Sequence, residues 1–202
     1  MSEVRVIDAI IPPIQQERLE KLVLDNDSVA WTFVPSANFG TSKEVGDARS
    51  NQRDTGMFLD MPNVVDSAQF IHSLYRHQEL LPAFGELFQA LRMGQLLRAK
   101  INITLPDPRQ TEDSHGYPHS DLAGLGYKDY TTAIYYLNDS DGDTFVFNER
   151  VGESVKAFTV HSRVAPRRGR AVVFDGNRYH AGNNPRTHKP RALINLNYIP
   201  AR

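Results

Sequence analysis

Apolar residues recur at helical spacing in the first half of the chain and alternate with polar ones in the second. Val4 to Ile7 alternates and predicts a short first strand. Pro12 and Pro13 open a helix reaching about Leu24, with Ile14, Leu19, Leu22 and Leu24 on its apolar side. Proline is tolerated at a helix start, where its missing N–H would have no partner anyway. Asp25-Asn26-Asp27-Ser28 ends that helix, and Ala30 to Pro35 reads as a strand carrying the only tryptophan, Trp31. Residues 36–56 are polar and aperiodic, which predicts a long loop. Asp66 or Ser67 can cap a helix running to about Tyr75, with Phe70, Ile71, Leu74 and Tyr75 on one side. Pro82 starts another, with Phe84, Leu87, Phe88 and Leu91 at helical spacing and Gly94 at its end.

After Gly94 the period shortens to two. Leu96 to Leu105 reads as a strand with Lys100, Asn102 and Thr104 on one face. A Pro/Asp/Ser/His/Gly loop fills 106–118. Further strands are expected at Tyr130–Leu137, Thr144–Asn148, Ala157–Val164, Arg170–Phe174 and Arg191–Ile199, with turns at Asn138–Asp143 and Pro166–Gly169. Helices first and short strands afterwards predict an α+β fold. Its expected form is a jelly roll, a double-stranded β-helix, with the N-terminal helices packed on one sheet. Nothing marks a second domain, so residues 1–202 are expected to form one, with 1–95 as helical support and 96–199 as the jelly-roll core.

Composition narrows the chemistry. The 202 residues include no cysteine, which excludes disulfides, thiolate metal sites and thiol catalysis. A metal here must use histidine and carboxylate ligands, which suit iron and zinc. No apolar run approaches membrane-span length and no secretory pattern opens the chain, so a cytoplasmic protein without a membrane partner is expected. The net charge of −1 gives no global nucleic-acid signature, and no nucleic-acid partner is expected. Charge is uneven, however: Arg163 to Arg191 holds eight Arg or Lys and one acid, Asp175. Such a cluster suits a solvated face, a nucleic-acid patch or the mouth of an anion pocket.

One constellation fits the last of these. Tyr117-Pro118-His119-Ser120-Asp121 is answered by Tyr179-His180-Ala181-Gly182, and Arg191 follows at the head of an apolar run. Two imidazoles and one carboxylate can hold iron(II) on one face and leave positions open for a 2-oxo acid and dioxygen. The metal carries the hard chemistry, while the protein places the reactants and tunes the ligands. A guanidinium binds carboxylate bidentately, so Arg191 can hold the far end of a dicarboxylate. Lys189 and Arg186 compete on distance from His180. Arg191 is preferred because Arg191, Leu193, Asn195 and Asn197 share a strand face whose polarity suits a pocket.

From His119-Ser120-Asp121 onward the motifs run in order. They continue with Ala133-Ile134-Tyr135-Tyr136-Leu137-Asn138 and Gly142-Asp143-Thr144-Phe145. Gly169-Arg170-Ala171-Val172-Val173-Phe174, then His180 and Arg191, complete the set. This pattern resembles the iron(II)/2-oxoglutarate-dependent oxygenases, in the prolyl-4-hydroxylase-like branch, over about residues 96–199. The resemblance implies a dioxygenase that couples oxidative decarboxylation of 2-oxoglutarate to hydroxylation of a small-molecule or peptidyl substrate. It implies Fe(II), 2-oxoglutarate and O2, with ascorbate as a candidate reductant. It assigns the metal to His119, Asp121 and His180. It assigns the cosubstrate to Arg191 and Tyr136, with Thr144 and Asn102 beside them. Relatives that chlorinate replace the metal-binding carboxylate, and Asp121 is present, so hydroxylation is favoured. The branch's usual Gly-Gly pair is Asp141-Gly142 here.

Other features carry less. Asp139-Ser140-Asp141-Gly142-Asp143 looks like the start of a calcium loop but lacks EF-hand spacing. His115 is expected to be exposed, and His72 and His77 to be surface residues. Segments 40–60 and 106–118 are candidates for a substrate rim, and Arg150 and Arg163 for contact with an anionic substrate. Two rival readings share the triad: a zinc-type hydrolase that activates water, and a non-catalytic jelly roll that binds metal or 2-oxoglutarate.

Overall fold

The computed structural model describes residues 3–27, 29–35, 61, 63–74, 76–123, 125–187 and 189–202. The expected loop at 36–56 and the whole 40–60 rim segment lie outside them. In chain order the elements are β1 (Arg5–Ile7), α1 (Pro13–Leu24), β2 (Thr32–Val34), β3 (Gln69–Ser73), a 3-10 helix (Gln78–Phe84), α2 (Gly85–Ala90) and β4 (Met93–Thr104). β5 (Thr131–Tyr136), β6 (Thr144–Arg150), β7 (Val160–Val164), β8 (Ala171–Asp175), β9 (Arg178–Gly182) and β10 (Arg191–Pro200) follow. Among the described residues no helix is long and apolar enough to cross a membrane.

The strands form two antiparallel sheets. The major sheet runs β1-β8-β5-β10-β4-β3-β2 and the minor sheet β7-β6-β9. Strand parity then sorts the side chains. Ala133, Tyr135, Ala171, Val173, Ala192, Ile194 and Leu196 face outward from the major sheet and pack with Leu19 and Val23 of α1 and Phe84 and Leu87 of the 3-10 and α2 helices. Their neighbours Ile134, Tyr136, Val172, Phe174 and Leu193 face inward and meet Val146 and Val164 of the minor sheet. The fold is the expected jelly roll.

Two helical expectations fail. Where a helix is expected from Asp66 to about Tyr75, the described residues 66–74 hold strand β3 and no helix. β3 lies between β2 and β4, paired from Gln69↔Thr104 to Ser73↔Lys100, so it is covered along both edges, and Ile71 and His72, on opposite faces, are both buried. Its apolar residues therefore do not alternate, and their spacing mimics a helical stripe. Gly94 does not stop a helix: α2 ends at Ala90, and Gly94 lies inside β4. Two histidines are also misplaced by the sequence. His72 is buried, with its Nδ1 donating to the Ala30 carbonyl at 2.8 Å. His115 is buried too, its ring 5.3 Å from that of Phe145 and 5.2 Å from that of Phe147. Both gained cover from segments distant in sequence.

The packing of α1 is directly testable. Leu19 is 1% exposed and Ile14 70% exposed. Leu19→Ala should cost about 2–5 kcal/mol in urea unfolding. Ile14→Ala should stay within about 0.5 kcal/mol.

Candidate metal centre and cosubstrate pocket

His119 and His180 are 61 positions apart, yet each backbone N–H donates to the other's carbonyl at 2.9 Å. The pair forms an antiparallel bridge at the free edge of β9. Residues directly opposite in such a pair project to the same face. The two imidazoles consequently stand side by side, with ring centroids 4.5 Å apart. Asp121, two residues on, turns its carboxylate to the same point: His180 Nε2 lies 3.5 Å from Oδ2 and His119 Nε2 4.0 Å from Oδ1. One ligand atom from each of the three falls within 4.8 Å of the others, and this is the only such group among the described residues.

The protonation states suit a cation. His119 Nδ1 lies 3.0 Å from the Tyr117 carbonyl, which only accepts, so Nδ1 carries the hydrogen and Nε2 keeps its lone pair. Burial pushes His180 down to about 4, and the charge of His119 pushes the same way against the pull of Asp121. A neutral imidazole is the form that binds metal. Burial alone would raise the Asp121 carboxyl, but Arg98 and the neighbouring His180, His119 and Lys100 hold it well below the usual range. His180 Nε2 is buried without a hydrogen-bond partner among the described residues. A divalent cation satisfies that orphan, so the donor set fits a metal.

Asp121 is held from behind. Arg98 Nη1 donates to Oδ1 at 2.7 Å, and the Asn195 and Asn197 amides each donate to Oδ2 at 3.1 Å. Strand parity brings Arg98 onto the face of Lys100 and Asn102, so the β4 alternation could have identified it two residues earlier. The flanking residues are pinned as well. Tyr130 Oη donates to the Gly176 carbonyl at 2.6 Å, shares a 2.9 Å bond with Ser120 Oγ, and accepts from the Leu122 amide at 3.4 Å. Gly176 turns β8 into β9, so this phenol ties the His119–Asp121 segment to the hairpin that carries His180. A Cβ at Gly176 would run into the Tyr130 ring. Nothing local in the sequence signals this contact.

The predicted cosubstrate residues also converge. Arg191 is 5% exposed and donates from Nη2 to Thr144 Oγ1 at 2.6 Å, while the Tyr136 hydroxyl donates to the same oxygen at 2.7 Å. Arg191 has no ion pair among the described residues, and its Nε has no partner. Burying an unpaired guanidinium costs several kcal/mol, so the position is built for an anion. Gly142 makes room: a Cβ there would lie 2.9 Å from Arg191 Cδ. Asp141-Gly142 therefore keeps the glycine that matters, and the Asp141 carboxylate caps the Arg186 amide at 3.0 Å instead. Arg191, Thr144, His119, His180, Asn102 and Asn195 line one cavity of about 100 Å³. Asn102 donates to Gln69 Oε1 at 2.7 Å on its wall. Gly116 and Tyr117 of the 106–118 loop reach the cavity. Arg150 and Arg163 are instead engaged in ion pairs with Asp175 and Asp143.

With this geometry in hand, comparison is informative. Residues 109–199 match the 2OG-Fe(II) oxygenase superfamily. The fold, the His-Asp-His group and this match together support a 2OG-Fe(II) oxygenase that uses Fe(II) and 2-oxoglutarate. AviO1 from Streptomyces viridochromogenes Tue57 shares the fold at a TM-score of 0.56 and 13% identity, over 97% of this chain and 89% of that one. The Escherichia coli ribosomal oxygenase YcfD aligns at a TM-score of 0.51 and 10% identity, over 100% of this chain and 49% of that one. This chain thus spans about half the length of YcfD. Another YcfD structure is in complex with cobalt and 2-oxoglutarate. No curated protein matches the sequence.

Tyr130→Phe should weaken cobalt(II) affinity about tenfold to hundredfold, the usual cost of losing a ligand's outer support. Tyr198→Phe is the control. Its hydroxyl also donates to a buried carbonyl, Leu91 at 3.3 Å, but on the far side of the sheet. It should leave cobalt affinity unchanged.

Proposed function

We propose that this chain couples the oxidative decarboxylation of 2-oxoglutarate to hydroxylation of a small-molecule or peptidyl substrate, acting as a single domain. His119, Asp121 and His180 would hold iron(II). The single observation that carries the reading is Arg191, a buried cation with no partner anion among the described residues, in the same cavity as that triad. Iron(II), when bound, supplies the activation of dioxygen with electrons from the 2-oxo acid. The chain's own residues do the rest. Arg191 holds the distal carboxylate by charge-assisted hydrogen bonds, and Thr144 and Tyr136 fix the guanidinium that does so. His119 keeps Nε2 unprotonated through its bond to the Tyr117 carbonyl. Arg98, Asn195 and Asn197 keep Asp121 ionised and oriented. Ile134 and Leu193 give the cavity its apolar wall and limit water around the reacting groups. The cobalt and 2-oxoglutarate held by YcfD support the same pairing of ligands here. The rival hydrolase needs a general base at the metal, and no aspartate or glutamate appears among the described lining residues.

His119→Ala should abolish 2-oxoglutarate consumption in iron(II)-supplemented protein, measured as succinate release. Full consumption by that variant would end the assignment. Arg191→Met should raise the KM for 2-oxoglutarate about tenfold to hundredfold, the worth of hydrogen bonds to a charged group.

A further inference from the structure

Beside the Arg191 cation, the cavity holds buried amide oxygens and a hydroxyl without a hydrogen-bond partner among the described residues. The Asn195 amide nitrogen is committed to the Asp121 carboxylate and that of Asn183 to the Thr111 carbonyl at 3.1 Å. Both partners can only accept, so each amide's orientation is fixed and each presents its carbonyl oxygen. The Oδ1 atoms of Asn183 and Asn195 have no partner among the described residues, and neither do Asn102 Oδ1 and Thr104 Oγ1. All four residues line the cavity of the metal triad and Arg191, and each is more than nine-tenths buried. They are placed by register: Asn102 faces Leu193 across the β4–β10 ladder, and Asn195 faces Lys100.

2-Oxoglutarate at neutral pH is a dianion with a ketone. It offers acceptors and no donors. It can satisfy Arg191 and a metal, but it cannot satisfy a single one of these amide oxygens. A buried acceptor that loses water without gaining a donor costs about 1–3 kcal/mol. The donors must therefore come from whatever displaces water beside the cosubstrate. Charge narrows the class further. Lys100 and Arg191 both line the cavity, and no acid appears among the described lining residues. An ammonium group would find no carboxylate partner among the described lining residues.

We infer that the second substrate is a neutral or anionic compound bearing several hydroxyl or amide N–H donors, of the polyol or carbohydrate type, read by Asn102, Thr104, Asn183 and Asn195. This inference rests on the oxygenase reading above and deepens it. Hydrophobic and ammonium-bearing compounds are the classes it rejects.

The test measures succinate release by the iron(II)-loaded full chain in 2-oxoglutarate, alone and with matched probes. The probes are glucose, myo-inositol and N-acetylglucosamine, their fully O-methylated counterparts, and lysine. The hydroxylated probes should raise the rate above the no-probe value, and the methylated forms and lysine should not. Thr104→Val should raise the concentration of the stimulating probe at half-effect about fivefold, the worth of one neutral hydrogen bond, with a smaller change in the maximal rate. The inference is overturned if no hydroxylated probe stimulates, or if the methylated forms or lysine stimulate as well as they do. It is also overturned if Thr104→Val leaves the half-effect concentration unchanged. A failure of the oxygenase reading looks different: the chain then releases no succinate and forms no anaerobic iron(II)–2-oxoglutarate chelate band.

Discussion

The pair of backbone hydrogen bonds between His119 and His180 is the constraint on which the site depends. It extends the minor sheet by one residue past β9 and brings together two segments that the sequence separates by sixty-one positions. Because opposed residues in an antiparallel bridge share a face, the bridge alone decides that both imidazoles point into the jelly roll. Asp121 then needs only a local turn to complete the group. The Tyr130 phenol and Ser120 hydroxyl, both on the Gly176 carbonyl, hold the same two segments a few residues further along. A donor set fixed this way is ready before any metal arrives, and ordering costs at binding are correspondingly small.

The inner face of the major sheet divides into regions by what each leaves unsatisfied. Around Asp121 the polar groups are saturated by one guanidinium and two amides. Around Arg191 a positive charge is oriented by Thr144 but not neutralised by any described residue. Along Asn102, Asn183 and Asn195 the amide oxygens have no donor among the described residues, and the Thr104 hydroxyl has no partner there. Folding tolerates these orphans because the apolar outer face, where α1 and α2 close over β5, β8 and β10, supplies the burial. Function and stability are thus placed on opposite faces of one sheet.

Much of this was legible in the sequence wherever a strand has one polar and one apolar face. β10 shows it best: Arg191, Leu193, Asn195 and Asn197 on one parity and Ala192, Ile194 and Leu196 on the other. The same parity assigned Tyr136 to the inside. β3 was misread because Phe70 and Ile71, on opposite faces, are both apolar, which removes alternation and leaves a spacing that suits a helix equally well. Arg98 went unnoticed because a strand-borne arginine reads as solvent-facing until its partner Asp121, 23 residues on, is known to lie under it. Tyr130 and His115 were illegible for a similar reason: their partners, Gly176 in the β8–β9 turn and Phe145 and Phe147 on β6, come from distant segments, and no local pattern encodes such a meeting. The glycine at 142 had a visible motif but an invisible cause, the passage of the Arg191 side chain.

The proposed function requires one cavity to serve metal and cosubstrate together. An anaerobic titration of the purified chain with iron(II) in the presence of 2-oxoglutarate tests that most directly. The predicted result is a weak visible charge-transfer band that saturates at one iron per chain, is absent with zinc, and is lost in Asp121→Ala. A chain that binds iron(II) and 2-oxoglutarate separately but never develops the band would contradict the account, because the two ligands would then not share a site.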